Sequence, residues 1–196
     1  ITEEFLEGIV ATGKVCPHFH LSLQSGCNKT LKNMNRRYSA QEYAEKCELI
    51  RKYYPAPALT TDVIVGFPTE TDEYFRQSYD FIESLDLSYL HVFTYSEREN
   101  TPAAEMGVSV PPAVRAARSR ALHRLGEKKR DAFYLRHQGQ VREVLLESEN
   151  KEGWMFGFTD NYIKVRLPYD PHLVGTLQAV RLGPQVEDGL LDASLL

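Results

Sequence analysis

Residues 18–95 alternate apolar strand-like runs with amphipathic helix-like runs, and this alternation constrains the fold more than any other feature of the 196-residue chain. HFHLSLQ (18–24) reads as a strand with apolar residues at Phe19, Leu21 and Leu23. NKTLKNMN (28–35) reads as one or two helical turns. Ser39 then caps a helix whose Glu42 reaches back in a capping box, and Tyr43, Cys47, Ile50 and Tyr54 lie along one face of it before Pro55 and Pro57 end it. ALTTDVIVGF (58–67) is the next strand, and its Val63-Ile64-Val65 run suits burial on both faces. A further helix with a Phe75, Tyr79, Ile82, Leu85 stripe leads to the strand SYLHVFTY (88–95). A βαβαβ series with crossover helices predicts an α/β fold with a parallel sheet. Three strands are too few to close a β/α barrel, so the pattern predicts either a small open sheet or part of a larger barrel.

The pattern changes after a loop at 96–112 and a long basic helix at 113–136. From 140 onward the sequence is strand and turn: QVREVLLE, WMFGFTDN, YIKVRL and LVGTLQAVRL, with Gly153, Asp160-Asn161 and Pro168 between them. This predicts a small antiparallel all-β barrel, with a tail at 183–196 of little pattern. We therefore expect two domains, 1–137 and 138–196. The net charge of −4 resides in the second, which carries five Lys/Arg against nine Asp/Glu. The stretch at 115–137 is basic and suits either nucleic acid or a solvated face. Trp154, Phe156, Phe158 and Tyr162 alternate with polar residues, as base-stacking faces and barrel cores both do. Lys164 and Arg166 share one face of their strand, where they can meet phosphates.

In parallel α/β folds ligands sit at the carboxyl ends of the strands. Three such ends carry candidates: Gln24-Ser25-Gly26; Asp62 with Gly66-Phe67-Pro68 and Glu70; and Tyr95-Ser96 leading to Arg98. Arg36 and Arg37 can pair with a carboxylate or phosphate. His18 and His20 face the same side of their strand, where packing or hydrogen bonding suits them better than metal ligation. Cys16, Cys27 and Cys47 have neither disulfide-framework nor metal-site spacing and read as reduced thiols. The chain has no apolar run long enough to span a bilayer and its acidic start is no secretory signal, so a cytoplasmic protein without membrane contact is expected.

HLSLQSGCNKTLKNMNRRY (20–38), TTDVIVGFPTET (60–71) and FTYSERENTPAAEM (93–106) closely resemble the radical-SAM methylthiotransferases, and FTDNYIKV (158–165) with LVGTLQAV (173–180) resembles their terminal TRAM domain. The resemblance implies part of a radical-SAM, TIM-like β/α barrel followed by an RNA-binding β-barrel. It implies S-adenosylmethionine and [4Fe-4S] clusters as cofactors and tRNA as partner. The LQSG…MNRRY form is most similar to enzymes that add a methylthio group to C2 of N6-threonylcarbamoyladenosine at tRNA position 37, with the isopentenyladenosine enzymes as the alternative. By position, Gln24, Ser25, Arg36, Arg37, Asp62 and Gly66 would serve cofactor binding. Tyr95, Arg98, Phe158, Lys164 and Arg166 would serve the substrate. The family's C-x₃-C-x₂-C cluster motif should precede this segment, and none of the three cysteines has the spacing to replace it. The chain by itself is therefore expected to be inactive, and an incomplete barrel with an open edge is expected to form homodimers. A non-catalytic RNA-binding module and a small α/β metabolite-binding protein are the competing readings.

Overall fold

The computed structural model describes residues 1–186 and 189–196. These form two compact units, one made of residues 1–14 and 19–129, the other of 15–18 and 130–196. The first contains helices α1 (Glu3–Thr12), α2 (Asn28–Asn33), α3 (Ala40–Tyr53), α4 (Asp72–Ser84) and α5 (Pro102–Glu105). A sixth, α6 (Pro112–His137), runs from the first unit into the second, so the units part within this helix while the shift in composition lies at its end. Ser39 and Glu42 form the expected capping box, which satisfies orphan N–H groups at the start of α3. Thr71 caps α4 and Thr101 caps α5. The stretch expected to be all loop thus contains one helical turn, set by Thr101 and by Pro102 at the first helical position.

A parallel sheet of order β1 (His18–His20), β2 (Ala58–Val65), β3 (Tyr89–Thr94) lies under the helices. β2 and β3 pair in register from Thr60 opposite Tyr89 to Val65 opposite Thr94. The strand expected over 18–24 stops at His20 and returns only as a single bridge between Gln24 and Val63. The cause is Thr61. Its hydroxyl donates to the Leu21 carbonyl (2.6 Å) and accepts from the Leu23 N–H (2.9 Å), replacing the ladder there. Leu59, Val63 and Val65 of β2 and Leu90 of β3 form the core with Tyr43, Cys47 and Ile50 of α3, Ile82 of α4 and Leu122 and Leu125 of α6. The expected double-sided burial of Val63-Ile64-Val65 does not hold. Val63 and Val65 are buried, but Ile64 is only half-buried, because the helices cover one face of the sheet. The other face carries Thr60, Asp62 and Ile64 of β2 beside Tyr89, His91 and Phe93 of β3.

The second unit is a closed barrel of order β4 (Val141–Leu146), β5 (Trp154–Thr159), β6 (Lys164–Pro168), β8 (Leu190–Leu195), β7 (Leu177–Val186). It is not wholly antiparallel: β6 and β8 run parallel, Val165 opposite Leu191. β8 lies in the tail that has little pattern, whose Glu187 and Asp188 are outside the described residues. Its buried residues, Leu190 and Leu191, are neighbours rather than alternating, and β7 shifts register between Leu182 and Gln185 to meet them. Val144, Leu146, Met155, Val165, Leu167, Val180, Leu182 and Leu191 fill the barrel.

Beneath the barrel, His137 is buried among polar partners. Its Nδ1 donates to the Phe133 carbonyl (2.7 Å), so Nε2 accepts from the Asn161 amide (3.0 Å). Asn161 in turn accepts from the Thr159 hydroxyl (2.7 Å). Burial holds the imidazole below its usual range, against the pull of the Phe133 carbonyl. The neutral form is therefore preferred when folded. The resulting stability is complete above the unfolded value of about 6.5 and is lost as pH falls through the lower folded value. We expect the urea midpoint of this unit to be lower at pH 5 than at pH 7.5, and His137→Gln to flatten that dependence. An unchanged midpoint would contradict the network.

Candidate functional site

The uncovered face of the parallel sheet gathers a polar cluster around Asp62. The carboxylate Oδ2 accepts from the Ser22 hydroxyl (2.8 Å) and lies 3.1 Å from His20 Nε2. His20 Nδ1 is 3.0 Å from the Thr60 hydroxyl, so both ring nitrogens are engaged and the imidazole is fixed. His91 stands opposite Asp62 in the strand register, its ring 5.4 Å from that of His20. Partial burial pushes the Asp62 carboxyl up, but the Ser22 and His20 hydrogen bonds outweigh it and hold the group below the usual carboxylate range. The result is an oriented, ionised carboxylate between two imidazoles. It suits a cationic or hydrogen-bond-donating ligand group. Asp62 was legible as a candidate. Ser22 and His91 carry no local signal: strand register brings His91 to Asp62, and the segment after β1 brings Ser22.

The strand-end loops are tied together more than they are open. Gln24 adopts φ 71°, and its backbone spans to Asp62 and Ile64 (2.8 and 2.9 Å). The Ser25 hydroxyl is spent within the fold, accepting from the Cys27 N–H (3.2 Å) and meeting Ser78 of α4 (3.3 Å). Gly66 has φ 75°, and a Cβ there would lie 2.4 Å from the Arg115 side chain. Here, then, the glycine admits an arginine stem. Arg115 donates to the carbonyls of Val110 (2.7 Å) and Tyr95 (2.9 Å) and pairs with Glu97 and Ser109, and its guanidinium lies over the Tyr95 ring (5.6 Å). Its hydrogen bonds hold the Glu97 carboxyl down at about 2. Arg118 binds Glu70, which accepts the Gly66 N–H (2.8 Å). Two arginines of the basic helix therefore clamp the strand-end loops from within.

Arg36, Arg37 and Arg98 are exposed. The turn holding the first two is anchored by Tyr38, whose hydroxyl contacts the carbonyls of Ser22 (2.9 Å) and Leu23 (3.0 Å). Tyr38 thus joins the arginine pair to the segment after β1 that carries Ser22.

In the barrel, β5 and β6 present an aromatic and cationic face. Lys164 Nζ lies over Phe156 (5.2 Å) and Phe158 (6.0 Å), and the Arg166 guanidinium over Trp154 (4.4 Å). Arg166 also pairs with Asp192 (2.7 Å). Phe158 continues into a ring stack with Tyr162 (4.7 Å), and Tyr162 into one with His18 (4.3 Å). Tyr162, with φ 65°, is half exposed. The alternation of β5 explains the face: Met155 and Gly157 turn inward, Trp154 and Phe158 outward, and Phe156 lies buried on their side with Lys164 over its ring. Tyr162 belongs to the aromatic series expected from sequence, whereas His18 joins it only through the fold, from far outside the barrel strands.

Cys16 is exposed while Cys27 and Cys47 are buried, and among the described residues no three His, Cys, Asp or Glu side chains are placed to hold a metal. These cysteines do not fit an iron–sulfur cluster. The oriented carboxylate and polar sheet face do fit a polar, cationic cofactor such as S-adenosylmethionine. No helix among the described residues is long and apolar enough to cross a membrane.

Residues 1–82 match the model of the radical SAM superfamily. The chain is 40% identical over 164 residues to threonylcarbamoyladenosine tRNA methylthiotransferase MtaB of Aquifex aeolicus, covering 84% of this chain and 39% of that protein. It is 37% identical over 186 residues to the protein of the same name from Bacillus subtilis, covering 93% and 41%. It is also 38% identical over 177 residues to a tRNA-2-methylthio-N(6)-dimethylallyladenosine synthase of Pelotomaculum thermopropionicum, covering 89% and 40%. The chain spans about two fifths of the length of these curated relatives.

Proposed function

From its kinship with the radical SAM tRNA methylthiotransferases, we propose that this chain provides the cofactor-facing strand ends and the RNA-binding barrel of an enzyme that adds a methylthio group to C2 of N6-threonylcarbamoyladenosine at tRNA position 37. The observation that carries this reading is the match to such proteins across both units of the chain. Part of a TIM-like β/α barrel accounts for a three-stranded parallel sheet with helices on one face. When bound, S-adenosylmethionine supplies the radical and the methyl group. Asp62, oriented by Ser22 and His20, would hold its cationic part, with the Gln24-Ser25 and Gly66 loops framing the site. Arg36, Arg37, Tyr95 and Arg98 would meet anionic or planar parts of cofactor and substrate. A second copy pairing along a sheet edge belongs to the same proposal. The isopentenyladenosine substrate is the second reading, favoured by relatives named for dimethylallyladenosine.

The barrel face supports RNA as partner because aromatic rings stack on bases and cations meet phosphates. The test is binding of an anticodon stem-loop by the chain and its variants. Phe158→Ala is expected to weaken binding about tenfold. Lys164→Ala should weaken it for all sequences and reduce the salt dependence by about one counterion. Equal binding by wild type and both variants would remove this face from RNA recognition.

A further inference from the structure

A groove of about 760 Å³ runs between α4 and α6 on the first unit. Its lining on α6 extends from Ala113 to Lys128, a length of about 22 Å at the rise of a helix. That shape is long and narrow, suited to a chain segment rather than a compact metabolite. Phe75, Tyr79 and Leu125 make an apolar floor, and Ala113, Ala117 and Ala121, four residues apart, keep one wall low enough for another backbone to approach. Such a floor offers nothing to a sugar–phosphate backbone.

The rim has one sign of charge. Arg76, Arg124 and Lys128 are exposed there, and neither Arg76 nor Arg124 has an ion-pair partner among the described residues. The one acidic lining residue, Asp72, is engaged by Arg118 (2.7 Å). Arg118 is 6% exposed and is committed to Glu70 and Asp72, so the cations open to an occupant are those of the rim.

We propose that this groove is a docking site for an acidic amphipathic helix of about four turns, its apolar face on Phe75, Tyr79 and Leu125 and its carboxylates on the basic rim. The occupant's charge follows from the rim and its helical form from the length and the alanine wall.

The test uses the 196-residue chain and two labelled, side-chain-stapled helical peptides with the same leucine face, one flanked by glutamates and the other by lysines. The acidic peptide is expected to bind with a Kd on the order of 10 μM, and the basic one at least about tenfold more weakly. Ala117→Trp, a surface change that fills the groove, should abolish binding, while Arg124→Glu with Lys128→Glu should invert the preference. Circular dichroism of each variant checks that it is folded. Equal affinity for the two peptides, or no binding of the acidic one at ~1 mM, would overturn the proposal. So would a short RNA that binds in a manner lost on the Arg124→Glu, Lys128→Glu change, because the rim would then serve phosphates.

Discussion

Replacing Arg118 by alanine is expected to destabilise the first unit by about 3–5 kcal/mol, the cost of leaving a buried charge without its partner. Glu70 is 5% exposed and Arg118 6%. The guanidinium Nη1 lies 2.6 Å from the Glu70 carboxylate and 3.0 Å from its carbonyl, and the plane stacks over Phe75 at 5.3 Å. Burial already pushes the Glu70 carboxyl up, against the Gly66 N–H and Arg118, so removing the arginine leaves desolvation opposed by the Gly66 N–H alone. The bond to Asp72 adds little, because that side chain is exposed and solvent screens it. Lysine cannot restore the forked contacts, so Arg118→Lys should recover only a small part of the loss. Glu70→Gln combined with Arg118→Ala should cost less than Arg118→Ala alone. Hydrogen exchange of α4 and α6 reads this unit separately, and a change under about 1 kcal/mol would contradict the clamp.

The second large effect is expected at Gly157, in the middle of β5. A Cβ there would lie 2.5 Å from the Leu145 carbonyl oxygen and 2.6 Å from Val144 Cγ1. Gly157 is paired with Leu146 on one side and Val165 on the other, so the obstructing backbone cannot move without opening the ladder. Gly157→Val should therefore cost about 3 kcal/mol and loosen the barrel. Trp154, the single tryptophan, lies at the start of the same strand and reports the change by fluorescence. A variant as stable as the wild type would mean that β4 and β5 are farther apart than described.

What was legible in the sequence was mainly what is local. The Ser39–Glu42 capping box and the face of α3 follow from spacing of three to four residues, whereas the alternating aromatics of β5 suited core and surface alike. Long-range features were not. Thr61 ends β1 with a side chain from the neighbouring strand. β8 closes the barrel with adjacent rather than alternating leucines. Arg115 and Arg118 looked like part of a basic face, yet they turn inward because acidic and carbonyl partners on distant loops await them. Asp62 was visible as a polar residue on a strand, but its orientation depends on Ser22 and His20, some forty residues earlier.

The central claim is the modification itself, and nucleoside mass spectrometry of tRNA tests it most directly, comparing cells with and without the gene for this protein. We expect that 2-methylthio-N6-threonylcarbamoyladenosine disappears without the gene, that its unmethylthiolated precursor accumulates, and that the methylthiolated isopentenyladenosine is unchanged. Loss of the isopentenyladenosine derivative instead would give the chain to the second reading, and no change in either nucleoside would contradict the proposed function.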